Sequence, residues 1–387
     1  MQGIPSVRVE GGPRDRGRQY GESARELVQR SIGAYEGLFA HYAGWDWPTV
    51  SEHALRYVAP VEAVWPQYLE EIRGIGEGAG VAFADVMSIN TRTEVLFAAK
   101  AAHAGNGAAP LPPECSAFAA LPEASADGGT LMGQNWDWLL HSADNCVLLE
   151  VRQDGAPDFV TVVEAGLLAK TGMNSSGLGL CTNALVSGAD RGEPGIPYHV
   201  VLRAILDAET MSDALIALQK GVRSSSATYM VGHSDGLAVT VEAAPGDHTQ
   251  LHLLFAENGV LLHTNHFLAD IGSARDLTTF IFPDSPFRLD RMRRVVAEAP
   301  SFSLALAQDM LADHANYPNS ICCHPDARYH PAEQWATAAS LVMELDARVL
   351  HLASGQPCTV PFARLDYSEF LAKPSPVAQV APATRAL

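Results

Sequence analysis

The stretch 114–138 constrains this chain more than any other. It reads ECSAFAALPEASADGGTLMGQNWDW. A Pro-rich approach (Pro110, Pro112, Pro113) leads to Cys115, and a short apolar run from Ala117 to Leu121 follows. Asp127-Gly128-Gly129 supplies a turn, and a second run ends in Asn135-Trp136-Asp137-Trp138. Two strand-like runs bounded by Pro and Gly predict a β-hairpin. Antiparallel pairing folds Asn135 and Asp137 back beside Cys115, so a thiol and a carboxylate distant in sequence come close. The plainer alternative is an ordinary hairpin holding a buried Cys, since free Cys is among the most buried residue types.

The texture of the chain changes at this hairpin. Before it, apolar spacings of three to five residues predict helices over 15–42, 49–73 and 82–100. Pro60 and Pro66 break or kink the second of these. The Gly-rich segment 74–80 reads as a turn, because no strand precedes it and no P-loop Lys follows. A strand is expected within 1–10, and 101–113 has the Ala, Gly and Pro content of a linker. After Cys115, strand-like runs recur at 116–121, 130–135, 146–152, 159–164 and 178–185. Helices at 197–206 and 210–218 follow, then strands at 227–232, 237–243, 249–255 and 259–264. Helices at 285–298 and 303–312 and a closing hairpin, 337–345 with 348–353, complete the pattern. Two groups of strands with helices between them suggest two sheets stacked face to face with helices outside. The tail 374–387 is rich in Pro and Ala and is expected to be disordered.

Charge narrows the function classes. The 387 residues carry 26 Lys and Arg against 44 Asp and Glu, a net charge of −18. Only four of the basic residues are Lys. Such a surface repels nucleic acid and anionic lipid, and both are excluded as partners. Arg288, Arg291, Arg293 and Arg294 form the one dense basic group, read here as a solvated helix face. No apolar run approaches the ~20 residues that span a bilayer, and the first residues lack the apolar core of a secretory signal. A cytoplasmic protein is expected. Six cysteines in so long a chain do not make a disulfide framework.

Cys115 carries the chemistry. If the Glu114–Cys115 bond is cut, Cys115 gains a free α-amine with a pKa near ~8 beside its own thiol. One residue then supplies nucleophile and base together. Further motifs follow in order: Gly133-Gln-Asn-Trp-Asp137-Trp, Glu164-Ala-Gly, Gly172-Met-Asn-Ser-Ser-Gly-Leu-Gly, Asn183-Ala-Leu, His263-Thr-Asn-His266, Pro283-Asp-Ser-Pro and Tyr317-Pro-Asn-Ser-Ile-Cys322. On these motifs, over 115–323, the chain resembles the peptidase C45 family, the acyl-CoA:6-aminopenicillanic acid acyltransferase-like group of the N-terminal-nucleophile hydrolases. The first hundred residues resemble it less.

The resemblance implies an α+β, four-layer αββα sandwich. It implies self-cleavage before Cys115 into a helical chain 1–114 and a catalytic chain 115–373 with its tail, the two remaining partners. Cys115 matches the nucleophile, Asp137 the orienting carboxylate and Asn265 the oxyanion-hole amide. Asn135, Ser226 and Ser320 match residues that support processing or activity. Glu114 departs from the family, whose fungal enzyme has Gly there; Gly reaches the strained geometry of self-cleavage more cheaply. The expected activity is amide or thioester cleavage through an acyl-enzyme, on a small-molecule substrate, with no cofactor. Hydrolysis of small amides such as β-alanyl amines, as in insect members, and an unprocessed binding protein on the same scaffold are the alternatives.

The residues alone leave plainer roles open. Asp137 at a strand end is equally a cap for backbone amides, Asn265 in His-Thr-Asn-His a turn residue, and Ser224-Ser-Ser226 a loop. His263, His266, His314, Cys322, Cys323 and His324 invite a zinc reading, and with it a zinc hydrolase. Adjacent Cys-Cys-His lacks the spaced C-x2–4-C pattern of structural zinc, so no metal is expected.

Overall fold

The computed structural model describes residues 3–102 and 115–372. The expected linker beyond residue 102, Glu114 and the 374–387 tail lie outside the described residues.

The strands, in chain order, are β1 (Ser6–Val9), β2 (Cys115–Ala120), β3 (Leu131–Leu139), β4 (Cys146–Val151), β5 (Phe159–Glu164), β6 (Thr171–Asn174), β7 (Leu178–Cys181), β8 (Ala227–His233), β9 (Leu237–Ala243), β10 (Leu251–Phe255), β11 (Val260–His263), β12 (Trp335–Glu344), β13 (Val349–Ala353) and β14 (Ala363–Asp366). They form an eight-stranded sheet, β1-β4-β5-β6-β7-β8-β9-β10, and a six-stranded sheet, β11-β2-β3-β12-β13-β14. Every pairing is antiparallel except β1 with β4.

The β-branched and aliphatic runs of these strands are buried on both faces, which only a covered sheet allows. On the six-stranded sheet Ala117, Ala119 and Met132 face the eight-stranded sheet, in one cluster with Met173, Leu178 and Leu180. Phe118, Ala120 and Val342 face the other way, onto Met292 of helix Ser285–Glu298 and Ala307, Met310 and Leu311 of helix Leu304–Leu311. Helices Tyr198–Leu206 and Met211–Gln219 cover the outer face of the eight-stranded sheet. The layers are therefore helix, sheet, sheet, helix: the αββα sandwich that element order suggested. Gln134 ties the sheets together. Its Oε1 accepts from Thr171 Oγ1 at 2.8 Å and from the Thr182 amide at 2.7 Å.

The N-terminal block differs from the expectation in three ways, the first being that the helix expected at 82–100 is two, Phe83–Asn90 and Arg92–Ala102. The single helix expected at 15–42 is two, Pro13–Ser23 and Arg25–Ala43. The Gly-rich segment is not a turn: helix Pro66–Ala79 runs through it and ends at Gly80 in the left-handed region. The reason is contact. A Cβ at Gly74 or Gly78 would lie 2.1 Å from the carbonyl oxygens of Arg14 or Arg18, and one at Gly17 2.1 Å from that of Glu71. Glycines on both helices let the two backbones touch, which offsets the helix cost of about 1 kcal/mol per Gly. Pro66 starts a helix, where it belongs, whereas Pro60 lies inside Val58–Val64 near its start.

Buried ion pairs lock this block onto the sandwich. Arg92 pairs with Glu164 of β5, which also accepts from Tyr35 Oη at 2.6 Å, and Trp138 Nε1 donates to Tyr35 Oη at 3.0 Å. Arg16 and Arg203 share Glu71 at 3.0 and 3.3 Å. Among the described residues no helix is long and apolar enough to cross a membrane.

Candidate active site

Cys115 opens β2. The hairpin sets it opposite Trp136 and sets Ser116 opposite Asn135, so Asp137 lies one position beyond the thiol. Asp137 pairs with Thr337 of β12, while Trp136 pairs with Ala339; the ladder bulges at Ala338. A bulge re-aims side chains, and here Thr337 Oγ1 donates to Asp137 Oδ1 at 2.6 Å. The Cys323 amide donates in turn to Thr337 Oγ1 at 3.0 Å. Asp137 Oδ2 has no hydrogen-bond partner among the described residues. Burial pushes this carboxyl up to about 7, against the downward pull of Thr337 and Arg288.

On the other side of β2 stands β11, with His263 opposite Ala117. Two residues further, Asn265 reaches the level of Cys115. Its Oδ1 accepts from the Cys115 amide at 2.7 Å and from Arg288 Nη2 at 3.0 Å. Two donors on one oxygen fix which end of the amide faces Cys115. One hydrogen of its Nδ2 goes to the Ala184 carbonyl at 2.9 Å. The Asn265 amide donates to Ser285 Oγ at 2.7 Å, which anchors it to the helix that carries Arg288.

Arg288 corrects the reading of the basic group as a solvated face. Arg291 is part-exposed and paired with Asp313, and Arg294 is exposed, but Arg288 is only 1% exposed. Its Nε donates to Asp284 at 2.7 Å, and Nη1 to the Cys115 carbonyl at 2.8 Å and to Ser116 Oγ at 3.0 Å. The planar fork thus grips the main chain of Cys115 and the side chain of Asn265 at once, which a Lys could not do.

Burial pushes the Cys115 thiol up to about 11; Lys170 pulls it back, Asp137 adds to the rise, and the Asp137 amide and Arg288 lower it. Lys170, only 4% exposed, lies 4.7 Å from the Trp136 ring centroid and 5.8 Å from that of Tyr198. Burial pulls its ammonium down to about 8, while Cys115 works the other way. The thiol faces a small cavity of about 40 Å³, walled by Leu96, Phe97, Trp138, Leu185, Val186 and Tyr198. Two open clefts of about 880 and 1130 Å³ are far larger, but Cys115 lines neither. Chemistry, not size, marks the site.

A thiol, an amide side chain and a buried cation gathered at one strand start suit attack on a carbonyl carbon. The profile of the acyl-coenzyme A:6-aminopenicillanic acid acyl-transferase family matches residues 124–358. The chain belongs to that family. It is 32% identical over 320 residues to the acyl-coenzyme A:6-aminopenicillanic-acid-acyltransferase 40 kDa form of Emericella nidulans, covering 82% of this chain and 84% of that protein. Among solved structures it is similar to a conjugated bile acid hydrolase from Clostridium perfringens (14% identity, 66% of this chain and 93% of that one, TM-score 0.45). It is similar also to a penicillin V acylase from Agrobacterium tumefaciens (15% identity, 67% and 88%, TM-score 0.44). As a member of this family the chain is an enzyme of the acyltransferase kind.

The other expected site residues divide. Ser226 lines the cavity with Cys115; its Oγ donates to Ser187 Oγ at 3.0 Å and its amide to Asp190 Oδ1 at 2.8 Å. Asn135 and Ser320 brace a neighbouring segment instead. Asn135 Nδ2 donates to the carbonyls of Leu311 and Ile321 at 2.8 and 2.7 Å, and Ser320 Oγ donates to that of Cys322 at 2.6 Å. Glu114 lies outside the described residues. His263 pairs with Glu242 at 2.8 Å, and His266 Nδ1 lies 2.8 Å from Ser285 Oγ. His314, Cys322 and His324, set aside on spacing, converge with Cys358; Cys323 does not join them. Sequence reasoning missed Lys170, Thr337 and the role of Arg288. The scarcity of Lys was the one signal for Lys170.

Proposed function

We propose that the chain cuts itself between Glu114 and Cys115, and that the exposed Cys115 then cleaves amide or thioester bonds through an acyl-enzyme. The observation that carries this reading is the hold on Cys115 itself: its amide is bound by Asn265 at 2.7 Å and its carbonyl by Arg288 at 2.8 Å. An ordinary strand residue has no use for two buried polar side chains on its own main chain.

In the cut, the thiol adds to the Glu114 carbonyl and the Cys115 nitrogen leaves as an amine. Water then hydrolyses the thioester and frees the Glu114 carboxylate. In turnover, the freed amine takes the thiol proton, with Asp137 Oδ2 as the acceptor that orients it. The thiolate attacks the substrate carbonyl, and the second hydrogen of Asn265 Nδ2 binds the oxyanion. The leaving group takes the proton, and water or an amine removes the acyl group from sulfur. Arg288 acts as a positioning residue. The apolar walls of the cavity suit an apolar acyl group.

Free thiols at all six cysteines support a reducing compartment, the cytoplasm. The test is denaturing electrophoresis with mass spectrometry after exposure to amides and thioesters. The expected result is chains of 114 and 273 residues (387 − 114 = 273), with an acyl mass on a chain that begins Cys-Ser-Ala-Phe. Added amine separates transfer from hydrolysis by the product it gives. A fully active uncut chain would overturn the proposal.

A further inference from the structure

Four soft donors meet at one point away from the Cys115 thiol. His314, Cys322, His324 and Cys358 bring one ligand atom each to within 4.8 Å of one another. The Cys322 and Cys358 sulfurs are 3.6 Å apart, and the Nε2 atoms of His314 and His324 are 3.1 Å apart. His324 Nε2 lies 3.5 Å from Cys322 Sγ and 3.3 Å from Cys358 Sγ. We propose that these four residues form a tetrahedral Cys2His2 site for a structural zinc ion.

The geometry can be tested against the ion. With Zn–S near 2.3 Å and Zn–N near 2.0–2.1 Å, a regular tetrahedron has edges of roughly 3.8 Å between sulfurs, 3.3 Å between nitrogens and 3.6 Å between the two kinds. Four of the six edges fall 0.1–0.3 Å short of these, the two from His314 to the sulfurs lie within 4.8 Å, and a bound ion would draw His314 in and hold the others apart. The two thiols would each release a proton, so two thiolates and two neutral imidazoles cancel the ion's charge. Four protein donors close the shell and leave no position for substrate, the mark of a structural rather than a catalytic site. Oxygen-seeking cations such as magnesium or calcium find no oxygen donor in this set.

Spacing hid the site because its fourth ligand comes from 36 residues beyond Cys322. Cys358 lies between β13 and β14, whereas the other three lie between helix Leu304–Leu311 and β12. The ion would staple these two connections. The stapled segment is the one that Asn135 and Ser320 brace. Its next residue, Cys323, donates to Thr337, which donates to Asp137. The staple thus stands two hydrogen bonds from the Asp137 carboxylate, and it does not depend on the acyl chemistry proposed above.

The experiment uses the full chain, reduced without oxygen, loaded with zinc and freed of excess, and measures metal by mass spectrometry. Wild type should retain about one zinc per chain, and Cys358→Ser and His314→Ala a tenth of that or less. Cobalt in place of zinc should give a thiolate charge-transfer band that Cys358→Ser weakens. A chelator should lower the melting temperature of wild type and leave that of Cys358→Ser unmoved, which separates metal loss from misfolding. Equal zinc in wild type and both variants, or no retention by wild type, would overturn the site.

Discussion

Cys115 and the Cys322–Cys358 pair hold the same functional group in opposite surroundings. Cys115 is sealed in a sheet, with Arg288 and Asn265 spent on its main chain and the sulfur left facing a cavity. Cys322 and Cys358 face each other and two imidazoles, with Cys358 exposed. In the first place the protein grips the main chain and leaves the sulfur, met by the Asp137 amide, at the cavity where the proposed attack would occur. In the second it gathers sulfurs and leaves nothing for a substrate. A thiol's role follows from which of its atoms the fold has already engaged.

The largest test of this contrast is Cys115→Ala. It should leave the chain uncut and lower turnover by roughly 10⁴-fold or more, the scale of losing a nucleophile. Cys358→Ser should still be cut. If the two swapped outcomes in electrophoresis and acyl-enzyme mass, the nucleophile has been misassigned.

Next comes Asn265→Ala, made in a chain begun at Cys115 and co-expressed with 1–114 so that self-cleavage is bypassed. It should lower kcat and kcat/KM together by ~10²–10³-fold, the usual cost of one oxyanion donor. Turnover within a few-fold of wild type would restore the turn reading of Asn265. Arg288→Lys keeps the charge and loses the fork. Breaking a charged hydrogen bond costs about 1.5–3 kcal/mol, so steady-state rates should fall roughly 10–100-fold.

The last test is one of pH and is read in stability rather than in rate. In the folded chain burial lets Asp137 keep its proton up to about 7, while unfolded it releases it near 3.8, the ordinary carboxylate value. Between those values the unfolded state binds fewer protons, so stability falls as pH rises through the window. In the uncut Cys115→Ala background, urea titrations should show wild-type Asp137 losing stability relative to Asp137→Asn from about pH 4 to 7, then levelling. A constant difference across that range would mean that the carboxyl is not held protonated.

What the sequence revealed and hid follows from the distance over which each part assembles. The β2–β3 hairpin was legible because its strands and turn are contiguous, and so was the stacking of two strand groups. Asn265 and Arg288 reach Cys115 across 150 and 173 residues. Asn265 was legible only through its family motif. Arg288 was misread because charge in a row resembles a wet helix face, and one turn of helix hides one Arg in four. The glycines of Pro66–Ala79 were misread because glycine stops most helices, and a helix pressed against another backbone is the exception. The His and Cys cluster escaped because a spacing rule sees one segment and this cluster draws on two.

The parallel pairing of β1 with β4 sets a schedule. Arg8 meets Glu150 across 142 residues, which at roughly 5–20 residues per second takes roughly 7–30 s to synthesise. Until then the first strand of the chain has no edge to join. Arg288 emerges another 138 residues later (288 − 150). The grip on Cys115 therefore cannot close until well after both partners of the β1–β4 pairing have been made. Any cut at residue 114 made by that grip waits until both halves of the β1–β4 pairing exist to be fastened, and the length of the polypeptide serves as the clock.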